Sequence, residues 1–300
     1  MQQVTKIPVE RRFPLSLKQS ISSIRELYEI GKKQRWVPHQ DIDWAGVDLS
    51  RLDQATRDAA RLAWSRRAWV EYASLSETPA LIVRLCLESG RESDPKYFLT
   101  VRNTEEAWNI ECCHRYAQVL GGYVDRPSDP AMEAVFNQNR YRQVLDAKCH
   151  TDAFLMVHAA LEDSLELALY QAYLDNAVEP VARHILTQVV QGKERHAAFG
   201  WLYAGERAAL WTDADRQEIA RALREHLLQV ELRGYHCPWL ADPASAESRA
   251  LDVAAAAGLG VATIAREHEV FEASLRDTRD RFAELGVQLD LSGVLPGQVT

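Results

Sequence analysis

Glu111-Cys112-Cys113-His114 is a Glu-x-x-His sequence. At i, i+3 on a helix the two side chains leave one face a turn apart, so a carboxylate and an imidazole can hold a metal ion together. Such a pair also arises by chance as a surface ion pair, so its surroundings decide. Glu77 lies 34 residues earlier and Glu162 lies later, in Val157-His158-Ala159-Ala160-Leu161-Glu162. Glu162 sits among small and apolar residues, with His158 four before it and Glu166 four after. A buried carboxylate without a partner is costly, and a shared metal would supply one. Lys193-Glu194-Arg195-His196 begins 31 residues beyond Glu162. His158 and Glu166 are additional candidate ligands. Glu71 is an alternative to Glu77 with a less suitable interval to Glu111. Cys112 and Cys113 point away from the pair and pack.

These residues need long helices to hold them. Periodicity and breakers predict helices over 15–34, 50–88 with a kink at Pro79, 103–120, 132–145, 151–174 and 178–210. Asn103-Thr104-Glu105-Glu106 reads as the N-cap of the helix bearing Glu111. A short turn at Asn176 makes the 151–174 and 178–210 helices antiparallel neighbours. Thr212-Asp213-Ala214-Asp215 caps a helix to about Arg233, and two more follow near 246–259 and 264–285. No strand-like period is present.

The chain has 300 residues, of which 47% are apolar, with few glycines and prolines, and a net charge of −8. That favours a few long helices over a sandwich or barrel. Charges of both signs are interspersed without a basic stripe, which argues against nucleic acid as a partner. Five cysteines without a CxxC pair indicate neither a disulfide framework nor a zinc finger. Met1 to Pro14 lacks the apolar run of a signal peptide, and no apolar stretch is long enough to span a bilayer. The expectation is a cytoplasmic protein without membrane partners.

The constellation resembles the ferritin-like di-metal carboxylate superfamily, which includes ribonucleotide reductase small subunits and diiron oxygenases. In that pattern two helices each give one carboxylate and two others each give Glu-x-x-His, all pointing into a four-helix bundle. The resemblance covers about 50–210 and includes the string Glu194-Arg195-His196-Ala197-Ala198-Phe199-Gly200-Trp201. It implies an all-α ferritin-like bundle with additional N- and C-terminal helices. It is expected to be a single domain over 1–300, with C-terminal accessory helices over about 212–285. It further implies that Glu77, Glu111, His114, Glu162 and His196 bind iron and/or manganese, one or two ions. The implied partners are a small-molecule substrate, dioxygen, an electron donor and a second copy of the chain.

One position departs from the pattern: Lys193 stands three residues before His196, where a glutamate belongs. Lys193 is open to four readings: a neutral nitrogen ligand, a carbamylated ligand, the mark of a single metal at Glu77, Glu111 and His114, or a metal-free ion-pair network with Glu77, Glu111 and Glu162. The leading functional expectation is a metal-dependent oxygenase or oxidase. The alternatives are an enzyme in which Lys193 itself reacts, as base, imine former or amine donor, and a helical protein that has lost its metals and catalysis.

Overall fold

The longest periodic stretches become the rods of a helical bundle. The computed structural model describes residues 20–88 and 91–295; the expected start of the first helix at Leu15 lies outside them, as does Met1 to Pro14. α1 (Ser22–Lys33) and the single-turn α2 (Pro38–Asp41) precede the core. α3 (Gln54–Tyr72) opens with Asp53 accepting from the Thr56 amide, and α4 (Ser74–Leu87) continues it. α5 (Ser93–Val119) is followed by the short α6 (Pro130–Phe136) and α7 (Tyr141–Leu145). The third rod is α8 (Thr151–Leu155), a π-helical segment (Met156–Glu162) and α9 (Asp163–Asn176). α10 (Pro180–Ala208) returns antiparallel after a short turn, with proline at its start and Glu179 capping it.

α3–α4, α5, the α8–π–α9 rod and α10 pack together as a four-helix core. α11 (Asp213–Gln229) has the Thr212/Asp215 capping box expected from sequence and crosses α8 and the π segment. α12 (Ala246–Ala256) covers α3, and α13 (Ile264–Glu284) covers α9. Among the described residues there is no strand, and none of the helices is long and apolar enough to cross a membrane. The fold class read from sequence holds.

Three local departures set where side chains point. The 50–88 stretch is interrupted at Ala73 rather than at Pro79. Proline removes an amide donor and crowds the preceding turn, and the strain is taken up upstream of its ring. On an unbroken helix Glu71 and Glu77 would lie about 120° apart; the break lets both face inward. α5 begins at Ser93, ten residues before the expected cap at Asn103, because Asp94 ties its first turn to the Ile21 amide at 2.7 Å and to Arg25 at 2.6 Å. The third rod contains the π segment, where α10 approaches so closely that a Cβ on Gly200 would lie 1.8 Å from the Ala159 carbonyl oxygen. Only glycine allows that contact.

Candidate metal centre

At the middle of the bundle the buried polar residues form ion pairs. Lys193, on α10, lies 3.0 Å from Glu71 and also bonds Glu166. Glu71 accepts from the Tyr170 hydroxyl at 2.7 Å and from Asn109 at 3.4 Å. Arg102, on α5, pairs with Asp163 at 2.7 Å and with Glu106 at 3.2 Å. Burial alone would lower the pKa of Lys193, but Glu166 and Glu71 outweigh it and hold the ammonium above the ordinary lysine range. Burial pushes the Glu71 carboxyl up, against Lys193, whereas Glu166 is held well down by Lys193 and His236 despite burial. Glu166 is therefore the principal counter-charge of the ammonium.

Beside these pairs, towards α4 and α11, lies a group of carboxylates and imidazoles. His158 Nδ1 is 3.3 Å from both Glu77 and Glu162. The other oxygen of Glu162 lies 3.4 Å from His226 Nε2, which is 2.9 Å from Glu231. His236 joins Glu231 at 2.9 Å to Glu166 at 3.2 Å. Arg140, at the start of α7, grips Glu162 with both terminal nitrogens at 2.6 and 2.5 Å and lies 3.3 Å from Glu77. Two sets of donor atoms each converge within 4.8 Å: Glu77, His158, Glu162 and Glu162, His226, Glu231.

Burial opposes ionisation of Glu162, but Arg140 and His226 hold its pKa well below the usual range. Glu231 is brought down to about 2, His236 being its strongest charged neighbour against the opposing effect of burial. Burial and Arg102 work against protonation of His158, yet its carboxylates push its pKa up to about 9. Arg102 points an N–H at His158 Nε2, 2.5 Å away. That edge cannot carry a second proton, so we read this ring as neutral. Burial likewise opposes the His236 imidazolium, and Glu231 with Glu166 raises its pKa to about 10.

A cavity of about 20 Å³ lies between Glu77, Arg102, Glu106, His158, Glu162, Asp163 and Glu166. Glu106 Oε2 and Asp163 Oδ2 are buried there without a hydrogen-bond partner. The space is that of one water or ion, and the oxygen-rich donor set with an imidazole suits iron or manganese. The residues present thus fit a metal ion, on condition that Arg140 gives up Glu162. Two larger cavities share Gln138 and Arg140 in their walls. One of about 430 Å³ reaches Glu77 past Trp69, Tyr123, Phe136 and Tyr235, and one of about 480 Å³ reaches His226.

The structure brings together Glu77, Glu162, His158, Glu166 and Lys193 among the sequence-derived candidates. It does not bring in Glu111, His114 or His196. The inward stripe of α5 is Arg102, Glu106, Asn109, Cys113 and Tyr116. Glu111 follows Asn109 by two residues, about 200° round the helix, and is exposed. His114 is half-buried against the Tyr123 ring, 4.5 Å between centroids. His196 is buried on another side of α10, where Nε2 meets Glu105 at 2.9 Å next to Arg195. The Glu-x-x-His on α5 is corrected to Glu106-Ala107-Trp108-Asn109, which lacks the histidine. Glu71, placed second to Glu77 in sequence, is the partner of Lys193. Glu106 and Asn109 had a spacing signal one and a half turns before the chosen pair. Arg140, His226, Glu231 and His236 lie outside the core rods and left no periodic signal.

No family model matches the chain, and neither does any curated protein. Among solved structures it is similar to an R2-like ligand-binding oxidase with aerobically reconstituted metal cofactor after photoconversion, at 18% identity and TM-score 0.67, covering 86% of this chain and 92% of that one. It is also similar to a mutant of such an oxidase with anaerobically reconstituted Mn/Fe cofactor, at 18% identity and TM-score 0.66, with coverage of 89% and 93%. A further mutant with aerobically reconstituted Mn/Fe cofactor matches at 17% identity and TM-score 0.63, with the same coverage. The likeness is one of fold, a ferritin-like helical bundle.

Proposed function

We propose that the chain is an iron- or manganese-dependent, oxygen-activating oxidoreductase acting on a small organic molecule, with its metal at Glu77, His158 and Glu162. The observation that carries this reading is the cavity of about 20 Å³ flanked by the unpartnered oxygens of Glu106 and Asp163. Glu106 and Asp163 each keep one buried oxygen without a donor beside their ion pair with Arg102, and such an oxygen is costly to leave bare. The metal described for the similar oxidases supports the same reading. Bound there, the metal would supply the redox step with dioxygen and an electron donor.

The chain's own groups would then orient and exclude. The 430 Å³ cavity offers an aromatic chamber beside Glu77 in which an apolar molecule displaces water. His236 and Lys193 hold Glu231 and Glu166 in place rather than reacting; the raised pKa of Lys193 runs against its use as a base or imine former. A second reading is favoured by a specific observation: Arg102, Arg140 and Lys193 already pair with carboxylates that a metal would neutralise. In it the bundle is metal-free and non-catalytic.

Anaerobic loading with Fe(II) or Mn(II), removal of free metal and exposure to dioxygen separates the two. The proposed enzyme consumes oxygen in proportion to bound metal and loses this in Glu162→Gln. A chain that retains no metal and consumes no oxygen supports the second reading.

A further inference from the structure

We propose that Arg66 and Arg67 hold a monatomic anion, chloride or a like halide, in a buried cavity between α3 and α9. The site is separate from the metal position and does not depend on it.

The two arginines are neighbours on α3 and are only 5% and 7% exposed. Among the described residues every partner of their guanidinium groups is uncharged. Arg66 donates to the carbonyls of His236 and Tyr235, each at 2.7 Å, and to that of Gly234. Arg67 donates to the Gly260 carbonyl at 2.6 Å and lies over the rings of Tyr173 and Trp64, 3.9 and 4.6 Å from their centroids. Arg66 Nε and Arg67 Nη1 are buried without a hydrogen-bond partner. Burial lowers the pKa of Arg66, and the strongest opposing charge, Glu267, does not cancel it. Glu267 is itself engaged by the Tyr173 hydroxyl at 3.0 Å and the Trp239 indole at 2.8 Å. Two adjacent buried cations without a carboxylate in contact carry both a desolvation cost and their mutual repulsion.

A cavity of about 20 Å³ lies beside both guanidinium groups, with Tyr170, Tyr173, Glu166 and His236 in its wall. That is room for one water or one monatomic ion. The tyrosine hydroxyls donate to Glu71 and Glu267, and Glu166 is engaged by Lys193 and by His236 at 3.2 Å. The unspent side-chain donors of the wall are therefore those of the two arginines. A water there would accept their N–H groups and leave both charges standing, whereas a halide accepts the N–H groups and offsets the charges. The same guanidinium groups fasten the 234–236 turn and the Gly260 loop to α3, so the anion's role is structural: it steadies the accessory segments on the core.

Thermal melts of the full chain at fixed ionic strength, with chloride or bromide replacing gluconate, test this. A bound halide raises the melting temperature with the logarithm of its concentration, by about 2 °C per tenfold for a chain of this size. The wild type should show that rise, and Arg67→Met, which removes one cation, should not. Crystals grown in bromide should show anomalous density between the two guanidinium groups, which decides the matter even if the variant fails to fold. No rise in the wild type, an equal rise in the variant, or no bromide density at this place overturns the proposal. Bromide density without a rise in solution means binding at crystal concentration only, and overturns it too.

Discussion

Glu162 is the one residue common to both converging donor groups, and Arg140 is bound to it. Replacing it with glutamine keeps the shape and removes the charge. We expect Glu162→Gln to weaken manganese binding at least tenfold, about 1.4 kcal/mol, by equilibrium dialysis. Glu111→Gln and His114→Ala should bind as the wild type does, because neither side chain reaches the cluster. Equal losses in all three would place the metal elsewhere. Glu162, with His158 four residues before it, was legible because small and apolar neighbours mark a buried face, whereas Glu77 was singled out by the family resemblance. Glu111 and His114 misled because i, i+3 spacing shows that two residues share a face, not which face it is. His236 gives a pH dependence. Its pKa is raised from 6.5 to about 10, so its bridge stabilises the metal-free fold fully below pH 6.5 and is lost as pH rises through 10. Melting temperature should fall across that window, and His236→Asn should flatten the fall. An identical slope in both proteins would remove His236 as its cause.

Helix ends and irregular turns decide which of these groups meet. The number and order of the long rods were legible from periodicity, but the phase of α5 depended on a start fixed by a tertiary contact, Asp94 to Ile21 and Arg25. The π segment was not legible at all, since no residue type marks an i+5 pattern. Its imprint lies on the partner helix, at Gly200, whose missing Cβ admits the Ala159 carbonyl. Gly200→Ala should therefore destabilise the fold by about 3 kcal/mol in chemical denaturation, the upper range for overpacking, and reduce metal content with it. A variant of wild-type stability would mean that α10 and the π segment part easily.

Across the molecule, the two adjoining clusters gather seven carboxylates, from Glu71, Glu77, Glu106, Glu162, Asp163, Glu166 and Glu231, against three fixed cations, Arg102, Arg140 and Lys193. Composition and the scarcity of breakers made the helical class legible, but a whole-chain charge of −8 gave no hint that so much of it is buried in one place. Lys193→Met should cost about 3–5 kcal/mol of stability by removing the buried cation that Glu71 and Glu166 share, yet retain manganese binding. Loss of binding with unchanged stability would instead make Lys193 part of the metal site. The most direct test of the account is elemental analysis of the full chain after anaerobic incubation with iron or manganese and removal of free metal. The wild type should retain metal and Glu162→Gln should lose it; a wild-type chain that retains none would contradict a metal site at Glu77, His158 and Glu162.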